Sequence, residues 1–178
     1  MTAPARPPMR PAMRVGLGFD VHRFDLDGER PLVLGGVVIP GGPGLVGHSD
    51  ADVVAHAVAD AVLGAAGLDD LGTRFPASDD RYRDASSLTL LAAALDQVHA
   101  AGWQVGNVDV AIAAEVPRLG PYTAAMIANL TETLAAPVSI KPKHAEGLGA
   151  IGRAEGIAAW AVALLVPLGD AAASEGEA

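Results

Sequence analysis

The residues best equipped for chemistry are Asp20, His22, His48, Asp52, His56 and Asp60. In an extended segment, residues 20 and 22 point to the same side, roughly 6.5–7 Å apart at the α-carbon. That spacing lets a carboxylate oxygen and an imidazole nitrogen meet on one ion. In a helix, Asp52, His56 and Asp60 stand four apart on one stripe, with His48 just ahead of its start. Two histidines and one carboxylate form a common catalytic zinc shell, which leaves a fourth position for water or a substrate oxygen. The chain has no cysteine, so a metal here must be held by His, Asp and Glu.

Each residue also has a plainer reading. Asp20 can form a turn, His22 can sit on the surface, and Asp60 can be a solvated helix charge. Asp52 near a helix N-terminus is favourable through the helix dipole alone. On spacing alone, both the metal site and the plain reading stand. Residues 146–156 (EGLGAIGRAEG) hold four glycines with Arg153 and Glu155. Read as a loop between strands, this segment exposes backbone N–H groups that can cradle phosphate oxygens. An ordinary flexible connection is the plainer reading of that lone pattern.

The elements that must position these residues follow from periodicity and punctuation. A strand over residues 13–19 delivers Asp20 and His22 at its end. Residues 32–39 read as a hairpin broken by Gly35-Gly36. A helix over 50–66 opens on an S-x-x-D box from Ser49 to Asp52 and stops at Gly67. Segment 69–84 reads as polar and irregular. Ser86 or Ser87 caps a second helix running to Ala101, closed by Gly102. A strand over 105–115, a helix over 121–134 and a strand over 138–143 follow. Residues 156–167 alternate as a buried strand does, while their alanines suit a helix equally. A strand is preferred, because the sheet then gains a fourth member. The expected class is α+β, an α/β sandwich-like arrangement with helices on one face of a mixed sheet and an added N-terminal hairpin.

At 178 residues the chain suits one domain, here 13–168, with disordered tails expected over 1–12 and 169–178. Hydrophobic residues make up 51% but aromatics only 4%, so the core must be built from Ala, Val and Leu. The net charge of −9 argues against a nucleic-acid partner, which requires a basic surface. An anionic ligand would need a local remedy: a metal, helix N-termini, or placed Arg and Lys. The longest apolar run, Ile157 to Val166, falls short of the about 20 residues that a membrane span needs. No secretory signal is evident, and the missing cysteines agree with a cytoplasmic address.

Taken together, four blocks resemble the 2-C-methyl-D-erythritol 2,4-cyclodiphosphate synthase family. They are RVGLGFDVHRF (14–24), GLVGHSDADVVAHAVADAVLGAAGLDDLG (44–72), GNVDVAIAAEVPRLGP (106–121) and EGLGAIGRAEGIAAWAVALL (146–165). The resemblance implies a phosphorus–oxygen lyase of non-mevalonate isoprenoid synthesis. Such an enzyme cyclises 4-diphosphocytidyl-2-C-methyl-D-erythritol 2-phosphate and releases CMP. By position, Asp20, His22 and His56 look like zinc ligands, the first two also touching substrate. His48 and Ser49 match the pair that positions the attacking phosphate. Asp70, Leu71 and Gly72 match a stretch holding the methylerythritol hydroxyls. Glu146 matches a carboxylate near a second divalent ion, Mg²⁺ or Mn²⁺, and Arg153 a phosphate-contacting arginine. Ala114, Pro117, Arg118 and Leu119 match the cytidine pocket, reached from a neighbouring subunit of a homotrimer.

Three departures stand out. Lys143-His144-Ala145-Glu146 replaces the usual T-T-T-E, so His144 stands where a transition-state threonine is expected. A protonated histidine can still donate to a phosphate oxygen. Ala150 replaces a phenylalanine, and Ala77 lies in an altered F-P-D-T-D-P stretch. Two other functions compete with the cyclase. One is a metal-dependent phosphodiesterase on the same scaffold, which would incorporate water. The other is a non-catalytic trimeric protein binding isoprenoid phosphates.

Overall fold

The computed structural model describes residues 12–169, so the two expected tails fall outside it except for Ala12 and Gly169. The described residues form six strands and five α-helices. Strand β1 (Arg14–Arg23) is followed by the short strands β2 (Leu32–Leu34) and β3 (Val37–Ile39), then by helices α1 (Val53–Ala66), α2 (Leu71–Arg74) and α3 (Ser87–Ala100). Strand β4 (Trp103–Ala113), helix α4 (Thr123–Leu134), strand β5 (Val138–Lys143), helix α5 (Gly149–Gly152) and strand β6 (Gly156–Pro167) complete the order.

The main sheet runs β1-β6-β4-β5, antiparallel except for the parallel pair β4–β5, and β2–β3 form a separate hairpin. The sheet is therefore mixed, with the hairpin set apart as expected. Residues 156–167 do form a strand, and β6 lies between β1 and β4. Among the described residues, no helix is long and apolar enough to cross a membrane.

Helix α1 is apolar on almost every side, from Val53 through Ala66, as a helix enclosed by other elements must be. It lies against β1 and β6 on one side and α3 on the other. Glycines in β1 permit this approach: a Cβ on Gly16 would sit 2.0 Å from the Ala61 carbonyl oxygen, and one on Gly18 1.9 Å from that of Ala57. Alanine on the helix and glycine on the strand replace the bulk that aromatic residues would supply elsewhere.

Alternation along β1 decides what each residue faces. Gly16 and Gly18 turn toward α1, while Val15, Leu17, Phe19 and Val21 lie on the opposite face, each between 46% and 69% exposed. Trp160 and Val162 of β6 extend this open apolar surface, and the rings of Phe19 and Trp160 meet at 5.1 Å.

Several boundaries differ from expectation. Strand β1 does not end before Asp20, because pairing with β6 continues through Asp20↔Ala159 and His22↔Ile157. Helix α1 starts at Val53, not residue 50, since the Asp52 carboxylate is itself the cap, accepting from Val54 N and Ala55 N. The expected irregular stretch 69–84 holds α2 and a 3-10 turn at Asp80–Tyr82. The glycine-rich loop 146–156 holds α5. Strand β4 starts and ends two residues earlier than expected, and a 3-10 turn at Gly120–Tyr122 precedes α4. Ser86 occupies the cap position of α3 without a side-chain bond.

Candidate metal centre and substrate pocket

The alternation that turns Gly16 and Gly18 toward α1 also turns Asp20 and His22 that way. One turn into α1, His56 meets them. Asp20 Oδ2 lies 2.9 Å from His22 Nε2 and 2.9 Å from His56 Nδ1. The three donor atoms all fall within 4.8 Å of one another. The second Asp20 oxygen accepts from Val21 N at 2.9 Å, which holds the carboxylate in place. His22 Nδ1 lies 2.6 Å from the Val46 carbonyl oxygen. A carbonyl only accepts, so Nδ1 carries the hydrogen and Nε2 is the atom left for the centre.

Electrostatics follow from the geometry. Burial opposes ionisation of Asp20, yet the hydrogen bonds and charges of His22 and His56 outweigh it and hold the carboxyl well below the usual carboxylate range. Burial alone would lower the His22 pKa. The Asp20 hydrogen bond and charge, with the Val46 carbonyl, raise it above its ordinary value. The site is thus a half-buried focus of negative charge that protons occupy when no cation does. Two imidazoles and one carboxylate with a fourth side open toward a cavity suit zinc by number and type of donor. The residues present fit the ion.

Asp20, His22 and His56 line a cavity of about 270 Å³ together with His48, Ser49, Asp60, Leu71, Gly72, Phe75, Ala77, Tyr82 and Leu90. The loop carrying His48 and Ser49 is clamped by Arg30, which donates to the Gly47 carbonyl at 2.5 Å, to the Ser49 carbonyl, and to Asp84 at 3.1 Å. His48 Nε2 lies 3.2 Å from the Asp79 carbonyl oxygen. Asp60 accepts from Leu71 N at 2.7 Å and so ties α2 to α1. Burial raises the Asp60 pKa, the Leu71 N–H partly offsets this, and the charges of Asp70 and Asp20 add to it.

A second cavity, about 500 Å³, gathers Ala114, Pro117, Arg118, Leu119, Lys143 and His144. The Val116-Pro117 peptide bond at its rim is cis. The residues singled out in the sequence therefore fall into two groups within one chain. Asp20, His22, His48, Ser49, His56, Leu71 and Gly72 share the first cavity. Ala114, Pro117, Arg118, Leu119 and His144 share the second.

Others lie in neither. Asp70 caps α2, accepting from Thr73 N at 2.8 Å. Arg153 pairs with Glu155 at 2.6 Å, and Glu146 is exposed with φ +53°. Asp52, grouped with His56 and Asp60 by helical spacing, does not join the metal cluster. It is fully buried and accepts from Gly35 N at 2.9 Å and Gly36 N at 2.7 Å as well as capping α1. Burial pushes this carboxyl up while the backbone N–H groups hold it down. Sequence reasoning passed over Asp50 and Ser87, which stand behind His56, and over Val46 and Arg30. Their partners are distant in sequence, so no local spacing announces them.

The chain is 55% identical over 159 residues to 2-C-methyl-D-erythritol 2,4-cyclodiphosphate synthase of Bordetella bronchiseptica, covering 88% of this chain and 97% of that relative. Among solved structures, that of a 2C-methyl-D-erythritol-2,4-cyclodiphosphate synthase in its CDP-bound form is 35% identical with a TM-score of 0.77, covering 85% of this chain and 99% of the other. The bifunctional IspDF of Campylobacter jejuni is 40% identical with a TM-score of 0.82 over 87% of this chain, which spans 42% of that longer protein. With its family model matching residues 13–166, this chain belongs to the YgbB family.

Proposed function

We infer that the chain is a 2-C-methyl-D-erythritol 2,4-cyclodiphosphate synthase. It cyclises 4-diphosphocytidyl-2-C-methyl-D-erythritol 2-phosphate to the 2,4-cyclodiphosphate and releases CMP, a step of isoprenoid precursor synthesis. The observation that carries this reading is the convergence of Asp20, His22 and His56 on the wall of a cavity that also presents His48, Ser49, Leu71 and Gly72. The reading is further supported by a relative of that name at 55% identity across nearly its whole length.

The reaction sets one phosphate against another, so charge opposes approach and catalysis is mainly positioning and neutralisation. Asp20, His22 and His56 would hold zinc, which when bound supplies a Lewis acid for a phosphoryl oxygen. His48 and Ser49, fixed by the Arg30 clamp, present an imidazole and a hydroxyl to the attacking 2-phosphate. The Leu71–Gly72 turn, tied down by Asp60, faces the methylerythritol portion. Phe75, Tyr82 and Leu90 give the cavity a largely apolar wall beside these groups.

Arg118, Lys143 and His144 put cationic and hydrogen-bonding groups in the second cavity, where a cytidine diphosphate end would be received. Glu146 would serve a second divalent ion, Mg²⁺ or Mn²⁺, and Arg153 a phosphate oxygen. Neither lies in the first cavity of its own chain, which supports a site completed between subunits. The open apolar face of Val15, Leu17, Phe19, Val21, Trp160 and Val162 supports the same conclusion, since a surface of that kind calls for a covering partner. A homotrimer with active sites at its interfaces is the assembly we assign, and the cytoplasm its compartment. Incubation of purified protein with the diphosphocytidyl substrate, followed by phosphorus NMR, tests the reading. A cyclic diphosphate and CMP are expected; open-chain monophosphates would indicate a phosphodiesterase instead.

A further inference from the structure

Behind His56, on the side away from Asp20, lies a chain of hydrogen bonds that the catalytic reading leaves unused. His56 Nε2 is 2.8 Å from Ser87 Oγ, a hydroxyl that is 1% exposed. Ser87 Oγ in turn makes a short contact with Asp50 Oδ1. Asp50 Oδ2 accepts from Ser87 N at 2.9 Å, and Oδ1 also accepts from Asp52 N at 3.1 Å. Ser49 Oγ, 3.1 Å from the same His56 nitrogen, is the remaining neighbour.

The direction of this chain can be deduced. Three donors point at the two Asp50 oxygens, so Asp50 acts only as an acceptor. A hydroxyl has one hydrogen, and here Asp50 takes it. Ser87 Oγ then has only lone pairs to offer His56, so Nε2 must carry a hydrogen. With Nε2 occupied in this way, Nδ1, 2.9 Å from Asp20 Oδ2, is the atom left to meet a cation where Asp20 and His22 converge. Asp50 also fills the place of the missing side-chain cap of α3 by accepting from Ser87 N. One carboxylate thereby fixes the helix, the serine and the ring together.

We propose that Ser87 and Asp50 are positioning residues that hold His56 with its hydrogen on Nε2 and its Nδ1 free for the metal. The inference rests on the zinc reading of the centre. Partners of this kind behind a ligating histidine are worth about 10- to 100-fold in metal affinity.

The test combines proton–nitrogen correlation spectra of the histidine rings with zinc affinity from chelator competition, on the full-length protein. In wild type, Nε2 of His56 should carry hydrogen with or without zinc. Asp50→Ala removes the acceptor of the Ser87 hydroxyl, which an asparagine would not do, because its oxygen would stay where Ser87 Oγ and Asp52 N both donate. The serine hydroxyl is then free to donate to His56, and the tautomer with the hydrogen on Nδ1 is favoured. Metal-free Asp50→Ala should therefore show a bare Nε2, and its zinc affinity should fall about 10- to 100-fold. Ser87→Ala should lose less, because Ser49 remains as acceptor, and Ser87→Thr should keep both the spectrum and the affinity.

A bare Nε2 in wild type would overturn the proposal. So would an affinity loss in Asp50→Ala with Nε2 still protonated, since Asp50 would then be a helix cap only. Should Asp50→Ala fail to fold, the contrast between Ser87→Ala and Ser87→Thr decides. A wild-type protein that binds no zinc would instead count against the metal reading, and the ring spectrum would still report on Ser87 and Asp50.

Discussion

Asp20 Oδ2 and His56 Nδ1 lie 2.9 Å apart although 36 positions separate them in the chain. Strand alternation on one side and the first turn of α1 on the other bring them together, across a contact made close by Gly16 and Gly18. A metal bound there would link strand to helix, so binding and folding are coupled. Zinc at a hundredfold excess over its Kd should add about 2.7 kcal/mol to native-state stability. His56→Ala should remove that increment, along with zinc and turnover, and leave the far-ultraviolet circular dichroism unchanged. Thermal melts with and without chelator check this.

The pH dependence follows from His22. Its folded pKa is raised above the ordinary 6.5 despite burial, because Asp20 pairs with the imidazolium. That pairing stabilises the metal-free fold fully below the unfolded value and is lost as pH rises through the folded one. Zinc must displace the same proton, so its affinity should climb about tenfold per pH unit up to the folded pKa and level off above it. Asp20 stays ionised throughout this range and does not contribute to the slope. Chelator competition between pH 5.5 and about 8.5, a window bracketing an ordinary histidine, would reveal it. A flat profile would show that His22 is not a ligand.

Gly18→Ala should be harmful out of proportion to one methyl group. The added Cβ would lie 1.9 Å from the Ala57 carbonyl oxygen and 2.6 Å from Ala61 N, both backbone atoms that cannot rotate away. Overpacking of this kind costs about 1–3 kcal/mol, and at this chain length each kcal/mol lowers Tm by about 2–4 °C. Because the displaced strand carries Asp20 and His22, zinc affinity should fall with Tm.

How much of this could be read from the sequence varies by element. The D-x-H pair was legible, since a two-residue period needs no tertiary information to place both side chains on one face. The helical stripe of Asp52, His56 and Asp60 was legible as spacing but not as function. Its three members serve three different partners: Gly35 and Gly36 for Asp52, the centre for His56, and Leu71 for Asp60. The Asp50–Ser87 contact was not legible, because it depends on how α3 packs beside α1. The strand identity of residues 156–167 was settled by the sheet, where β6 pairs on both edges, and not by local propensity.

The proposed sharing of active sites between subunits predicts complementation. Chains with His56→Ala lack the centre, and chains with Arg118→Ala lack a cation of the second cavity, so each alone should be nearly inactive. Mixed after dissociation and reassembly, they should recover part of wild-type activity, because some interfaces then pair an intact centre with an intact second cavity. No recovery, together with a monomeric mass by light scattering, would contradict the interface arrangement.

The central claim is that the cavity beside Asp20, His22 and His56 joins two phosphates of one substrate and does not hydrolyse it. The direct measurement is turnover of the diphosphocytidyl substrate in oxygen-18-labelled water, with products resolved by phosphorus NMR and mass spectrometry. Wild type is predicted to yield the cyclic diphosphate and CMP in equal amounts with no label in either, and His56→Ala to yield neither. Labelled monophosphate products from wild type, or an undiminished cyclic product from His56→Ala, would contradict the account.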